Sequence, residues 1–228
     1  MNGEIVVVDD LPGAFTAEVV AAFAKRPGEE FDIALSGGET ARACYERLAA
    51  DSAQAIDWLV VNFFWGDERC VAPDDTDSNE LLGRQALLEK VGAANAVYPM
   101  RCEDGVDAYQ LRIGEVGQLD VVHLGLGPDG HTASLFPGSA ALEADPGQLV
   151  SFNEDPTGRN QHPRMTLTYA GIARARLVIF TVAGEAKRPA LEAVCAGEDL
   201  PAARVQAGRV LWLVDRDAAP RNHAGLPR

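Results

Sequence analysis

The chain predicts an α/β fold: a single-domain, three-layer αβα, Rossmann-like arrangement around a mostly parallel sheet. Short apolar runs alternate along the whole chain with longer segments whose apolar residues recur at helical spacing. The runs themselves are nearly continuous, as strands covered on both faces require, and glycine-containing polar turns follow several of them. With 228 residues and 47% hydrophobic content there is ample material for a buried core. Residues 1–217 read as one α/β domain, and 218–228, beginning Ala218-Ala219-Pro220-Arg221, as a frayed C-terminal tail.

Taken in order, Ile5 to Val8 is a first strand and Ala14 to Lys25 a first helix. Phe31 to Leu35 is apolar apart from Asp32, Ser36-Gly37-Gly38 turns the chain, and Thr40 is an N-cap for a helix running through Ala50. Trp58 to Trp65, uninterrupted by charge, is the next strand, followed by a polar loop and a helix from Ser78 to Val91. Asp104 to Gly117 reads as helix and Leu119 to Leu124 as a buried strand. Leu177 to Val182 and Val210 to Val214 are the last strands, with a helix over Ala186 to Ala196 between them. Right-handed crossovers in such an order gather the strand-end loops at one edge.

Composition narrows the function. A formal charge of -14 repels polyanions and argues against nucleic-acid or anionic-membrane partners, so a phosphate site has to be local, made of backbone N–H groups and a few cations. No apolar stretch is long enough to span a bilayer and no basic leader precedes Ile5, which points to a cytoplasmic protein. Cys44, Cys70, Cys102 and Cys195 are scattered without metal-ligand spacing and read as structural thiols, with no metal implied. Monomer and homodimer are both compatible with this surface.

Three strand-end segments carry candidate chemistry. The richest is Gly125-Leu-Gly-Pro-Asp-Gly-His-Thr-Ala-Ser-Leu-Phe-Pro137, which sets Asp129 two residues before His131, a carboxylate beside an imidazole suited to proton transfer near neutral pH. His123 lies inside a strand and reads as a hydrogen-bonded core residue; His162 precedes a proline, and His223 is in the tail. Gly125-x-Gly127-x-x-Gly130 matches the dinucleotide fingerprint formally. Pro137 interrupts the required helix, however, and Glu143 and Asp145 do not end an apolar strand, so the match is discounted. Ser36-Gly37-Gly38-Glu39-Thr40 allows close backbone approach at a helix start and suits a phosphate, although it is also an ordinary turn. Asp67-Glu68-Arg69 begins a charged loop where the sheet ends. Arg164 and Lys187 each put a cation near a strand end, and Lys187 is one of only three lysines.

In this order, Ser-Gly-Gly-Glu-Thr, Asp-Glu-Arg with Ser78-Asn79 downstream, the 125–137 segment, Arg-Met-Thr and Gly-Glu-Ala-Lys resemble the 6-phosphogluconolactonase family over nearly the whole chain. That family shares its fold with glucosamine-6-phosphate deaminase and ribose-5-phosphate isomerase. The deaminase branch has Asn-Glu-Pro after the shared Asp-Gly-His and Tyr in place of Arg69, whereas this chain has Ser134-Leu-Phe-Pro137, which points to the lactonase. The resemblance implies hydrolysis of 6-phospho-D-glucono-1,5-lactone without cofactor. It makes His131 the base, Asp129 its partner, Arg69 and Asp67 further catalytic candidates, and Ser36, Gly37, Gly38, Thr40, Arg164 and Lys187 the phosphate ligands. Whether Arg69 meets the oxyanion or the phosphate stays open, as does a substitution of Arg159 for Arg164. A deaminase or isomerase of the same fold and a non-enzymatic sugar-phosphate regulator are the competing readings; for the latter, no room is expected before the first strand for a DNA-binding segment.

Overall fold

A computed structural model describes residues 2–221. Its strands are β1 (Glu4–Val8), β2 (Phe31–Leu35), β3 (Val61–Trp65), β4 (Asp67–Arg69), β5 (Ala96–Val97), β6 (Leu119–Gly125), β7 (Val150–Asn153), β8 (Arg164–Leu167), β9 (Ala175–Val182) and β10 (Arg209–Asp215). The α-helices are α1 (Leu11–Ala24), α2 (Glu39–Asp51), α3 (Asn79–Gly83), α4 (Glu89–Val91), α5 (Gly105–Val116), α6 (Tyr169–Ile172) and α7 (Arg188–Cys195). Seven strands form one sheet in the order β1-β10-β9-β6-β2-β3-β5, every pair parallel. All of β3 and the first six residues of β6 are buried, so the sheet is covered on both faces, and the buried apolar residues form one continuous core. The expected α/β architecture and its mostly parallel sheet are therefore observed.

Chain direction through this sheet creates the site. From β2 the chain proceeds to β3 and β5 on one side, whereas from β6 it proceeds to β9 and β10 on the other. Because β2 and β6 are neighbours, aligned Ile33 to Val121 and Ala34 to Val122, the loops leaving their C-terminal ends diverge and open a crevice between them.

Several local expectations need correction. Trp58–Val60 is a 3-10 turn, capped by Asp57, and the strand begins only at Val61. The N-cap of α2 is Gly38 at φ +94, a left-handed-region conformation that glycine tolerates, and Thr40 lies inside the first turn. Ser78 does cap α3 through Leu81 N, but the expected single helix is interrupted by a π-helical turn, Arg84–Leu88, before α4. Asp67, Glu68 and Arg69 do not lie in a loop. They form β4, which pairs antiparallel with β8, itself paired with β7, in a second sheet of three strands. No local periodicity signals strands of three and four residues, and the β4/β8 pairing joins segments about a hundred positions apart. Ala218 and Ala219 are buried, so packing continues beyond 217; residues 222–228, with His223, lie outside the described residues.

Cys70 and Cys102 are not free thiols but a disulfide, with Cα atoms 5.3 Å apart and a sequence separation of 32. The bond ties the end of β4 to the short 3-10 turn before α5, an approach that only the folded chain creates. By loop-closure entropy such a crosslink contributes about 3–4 kcal/mol. Cys70→Ser, or excess dithiothreitol, is expected to lower the thermal midpoint by about 10 °C relative to the oxidised protein. A midpoint unchanged by reduction, with thiol titration confirming that the bond had been broken, would count against that contribution.

Candidate active site

The loop after β6 is built by backbone bonds: Gly127 N donates to His131 O at 2.8 Å, and Gly130 N to Gly127 O at 3.0 Å. Gly130 has φ +82, and a Cβ at Gly127 would lie 2.1 Å from His131 Nδ1, so the imidazole rests directly over the glycine backbone. This compact turn brings Asp129 Oδ1 to 2.5 Å from His131 Nδ1 and lets it also accept from His131 N. The His131 bond holds the Asp129 carboxyl below the usual carboxylate range, with burial opposing. A carboxylate can only accept, so in neutral His131 the proton sits on Nδ1 and Nε2 keeps a lone pair. Phe136 meets the ring edge-on, with centroids 5.0 Å apart, and limits its rotation.

His131 faces a crevice of about 380 Å³ at the β2/β6 divergence. Ser36, Gly37, Gly38, Thr40, Asp67, Arg69, Arg164 and Lys187 line it as well. Of the expected residues only Asp129 stands behind the wall, bonded to His131. Arg159, the alternative to Arg164, is exposed and outside the lining. Its neighbour Asn160 reaches the crevice instead, because Asp155 accepts from the backbone N and the Nδ2 of Asn160 and turns the loop inward.

The start of α2 supplies unpaired donors. Arg42 N makes the first helical bond, to Gly38 O, and no side chain caps the helix. The N–H groups of Glu39, Thr40 and Ala41 are thus left without intrahelical partners beside the crevice. Gly37 is required by contact: a Cβ there would come within 1.8 Å of Asn79 Oδ1, whose Nδ2 donates to Asp67 O at 2.9 Å.

Arginines occupy the opposite wall. Arg69 and Arg164 are directly paired in the β4/β8 register, and the Nε of each is buried without a hydrogen-bond partner. Burial lowers the Arg164 pKa, with Asp67, Glu68 and Asp77 opposing that shift and Arg69 adding to it by repulsion, yet an arginine remains charged at any physiological pH. Two like charges facing each other across a strand pair are destabilising unless something negative lies close by. Beneath them Glu68 accepts from the backbone N of Arg69, Asn79 and Glu80 and from Ser78 Oγ, all within 3.1 Å. Burial pushes its carboxyl up, while the backbone donors of Asn79, Arg69 and Glu80 pull it back. Asp67 has a partner too, accepting from Ser134 Oγ at 2.6 Å. Lys187 makes no ion pair among the described residues; burial lowers its pKa and Asp129 opposes that shift.

His123, expected in the core, is fully buried between Tyr45 Oη and Thr181 Oγ1, each 2.8 Å from a ring nitrogen. Sequence reasoning missed Asn79, Asn160 and Thr181 as crevice residues; Asn79 enters it only as part of the Ser78-Asn79 pair, the other two stand in no motif, and the placement of all three depends on the tertiary fold. Nor does a helix follow the glycine turn to carry a dinucleotide pyrophosphate: residues 132–139 are turns and coil with one isolated bridge between Thr132 and Leu135, and only a 3-10 turn, Ala140–Glu143, comes next.

Fold and site together define an open α/β protein whose ligand crevice lies at the topological switch point of a parallel sheet, between a carboxylate-held imidazole and a cationic wall. The chain belongs to the family described as glucosamine-6-phosphate isomerases/6-phosphogluconolactonase, whose model matches residues 6–212. It is 42% identical over 207 residues to a 6-phosphogluconolactonase of Nostoc sp., covering 82% of this chain and 83% of that one. It is 38% identical to one of Mycobacterium tuberculosis, covering 83% and 84%. Among solved structures it is similar to 6-phosphogluconolactonase from Trypanosoma brucei, with TM-score 0.80, 31% identity and coverage of 96% and 98%. The Thermotoga maritima enzyme gives TM-score 0.82 at 28% identity, covering 93% and 99%. A monomeric glucosamine-6-phosphate deaminase, TM-score 0.79 at 16% identity, shares the fold.

Burial lowers the pKa of His123 to about 3. The unfolded chain therefore binds a proton below about 6.5 that the folded chain refuses, and folding stability falls as pH drops from about 6.5 toward 3. Chemical denaturation at pH 7 and pH 4 is expected to show a loss on the order of 3 kcal/mol that His123→Gln lacks. Equal pH slopes in the two proteins would refute this.

Proposed function

We propose that the chain hydrolyses 6-phospho-D-glucono-1,5-lactone to 6-phosphogluconate in the oxidative pentose phosphate pathway. The observation that carries the reading is the joining, in one crevice, of the Asp129–His131 pair with two buried arginine Nε groups that lack partners. The first can move a proton and the second calls for an anion. Relatives named 6-phosphogluconolactonase at 42% and 38% identity support the same reaction.

His131 Nε2 takes a proton from water as the water oxygen bonds to the lactone carbonyl carbon. The tetrahedral intermediate collapses by breaking the bond from that carbon to the ring oxygen, and His131 returns the proton to the departing oxygen. Asp129 fixes the tautomer and orientation of the ring and stabilises the imidazolium that forms. The ester is activated, so orientation and one base suffice without a covalent intermediate. The 6-phosphate sits before the start of α2, against Gly37, Gly38 and Thr40, with Ser36 at the base of that turn. Arg164 and Lys187 flank it. Arg69 joins them, since a dianion between Arg69 and Arg164 relieves their mutual repulsion. Asp67, already bonded to Ser134, holds the loop that follows His131 in place.

Rates of lactone hydrolysis, read through coupled oxidation of 6-phosphogluconate, test these roles. His131→Ala is expected to lower kcat by about 10²- to 10⁴-fold with KM little changed. Full turnover in that variant would remove His131 as the base. Arg164→Ala is expected to raise KM for the phosphorylated lactone by about tenfold or more and to leave kcat close to the parent value. A KM effect of the same size on unphosphorylated glucono-1,5-lactone would show that Arg164 does not read the phosphate.

A further inference from the structure

A buried side-chain chain runs beneath the crevice. Ser36 N donates to Tyr45 Oη at 2.6 Å, Tyr45 Oη lies 2.8 Å from His123 Nδ1, and His123 Nε2 lies 2.8 Å from Thr181 Oγ1. It begins at the turn that precedes α2 and ends near the C-terminus of β9, where Thr181 is in register with Gly125 of β6. Thr181 is 4% exposed and lines the crevice with Lys187, and among the described residues its hydroxyl has no hydrogen-bond partner other than His123.

Two proton arrangements fit these distances. In the first, Thr181 donates to Nε2, His123 donates from Nδ1 to Tyr45, and Tyr45 donates to Ser36 O, a longer contact of 3.3 Å. In the second, Tyr45 donates to Nδ1 along the shorter 2.8 Å contact and His123 donates from Nε2 to Thr181. The Thr181 proton is then released toward the crevice, where it needs an acceptor. A neutral imidazole has one proton, so the two arrangements exclude each other, and an anionic oxygen beside Thr181 selects the second.

We propose that Thr181 is a phosphate-contacting residue, donating its hydroxyl proton to a phosphate oxygen of the ligand, with His123 and Tyr45 as positioning residues that turn it into a donor. The phosphate identity rests on the functional reading above and on Thr181 sharing the crevice with Lys187 and the start of α2. Loading the phosphate therefore moves His123 from the Nδ1–H to the Nε2–H tautomer, and the same proton shift leaves Tyr45 accepting from Ser36 N while releasing Ser36 O.

Nitrogen NMR of ¹⁵N-histidine-labelled protein, with His123 assigned through His123→Gln, is titrated with inorganic phosphate. The expected result is a tautomer shift toward Nε2–H in the parent protein and none in Thr181→Val. This readout needs no turnover, so it stands if hydrolysis of the lactone is absent, in which case the functional reading alone fails. In kinetics, Thr181→Val is expected to raise KM for the phosphorylated lactone about five- to tenfold with kcat within twofold, and Thr181→Ser to restore it. Glucono-1,5-lactone hydrolysis is expected to be unaffected by either substitution. A His123 tautomer indifferent to phosphate, a parent-like KM in Thr181→Val, or a tautomer shift caused by gluconate and not by phosphate would overturn the proposal.

Discussion

Everything at the site depends on the parallel pairing of β2 with β6 at the centre of the main sheet. The two strands lie side by side while the chain leaves them in opposite directions, so no loop can cover the ground between their C-terminal ends. Into that opening β2 delivers a glycine turn and a helix start, and β6 delivers a glycine turn that carries Asp129 and His131. The catalytic and anion-binding candidates of these two strands therefore stand at the strand ends, while the strands themselves are mostly buried and apolar, with Asp32, Asp120 and His123 as their polar members.

The second sheet adds what the main sheet cannot. Pairing β4 with β8 sets Arg69 against Arg164, and burying their Nε groups without partners leaves two cationic N–H donors unsatisfied on one wall. That arrangement is held from below by Glu68, whose carboxylate oxygens take four hydrogen bonds and fasten β4 to the start of α3. Ser134, reaching Asp67 and gripped in turn by Asn153, ties the loop after His131 to the same small sheet. A net charge of -14 thus coexists with a crevice whose Arg69, Arg164 and Lys187 form no direct ion pair among the described residues, although carboxylates lie near them.

Polar contacts across the crevice floor follow the same rule of a single proton or donor serving a defined direction. Asp129 fixes the His131 tautomer by contact within a three-residue turn, and His123 links the turn before α2 to the end of β9. The first is local in sequence and the second joins residues from three distant elements. That difference explains why the first pair was legible whole, while of the second only His123 as a hydrogen-bonded core residue was, without its partners.

Legibility followed the range of the interaction. Continuous apolar runs, helical spacing and glycine turns are consequences of local geometry, and from them alone the α/β class, the principal strands, most helices and the Asp129–His131 segment could be read. The glycines at 37, 127 and 130 also belong to this layer, since a tight turn leaves its mark within a few residues. Tertiary structure alone decided the β4/β8/β7 sheet, the Cys70–Cys102 bond, the inward turn of Asn160 in place of Arg159, and the role of Asp67 as a partner of Ser134. Each of these joins residues through space in ways the local sequence pattern leaves unspecified. The physical reason is that a short strand, a thiol or a lone polar side chain has no preferred conformation strong enough to announce its partner until the sheet has brought that partner within reach.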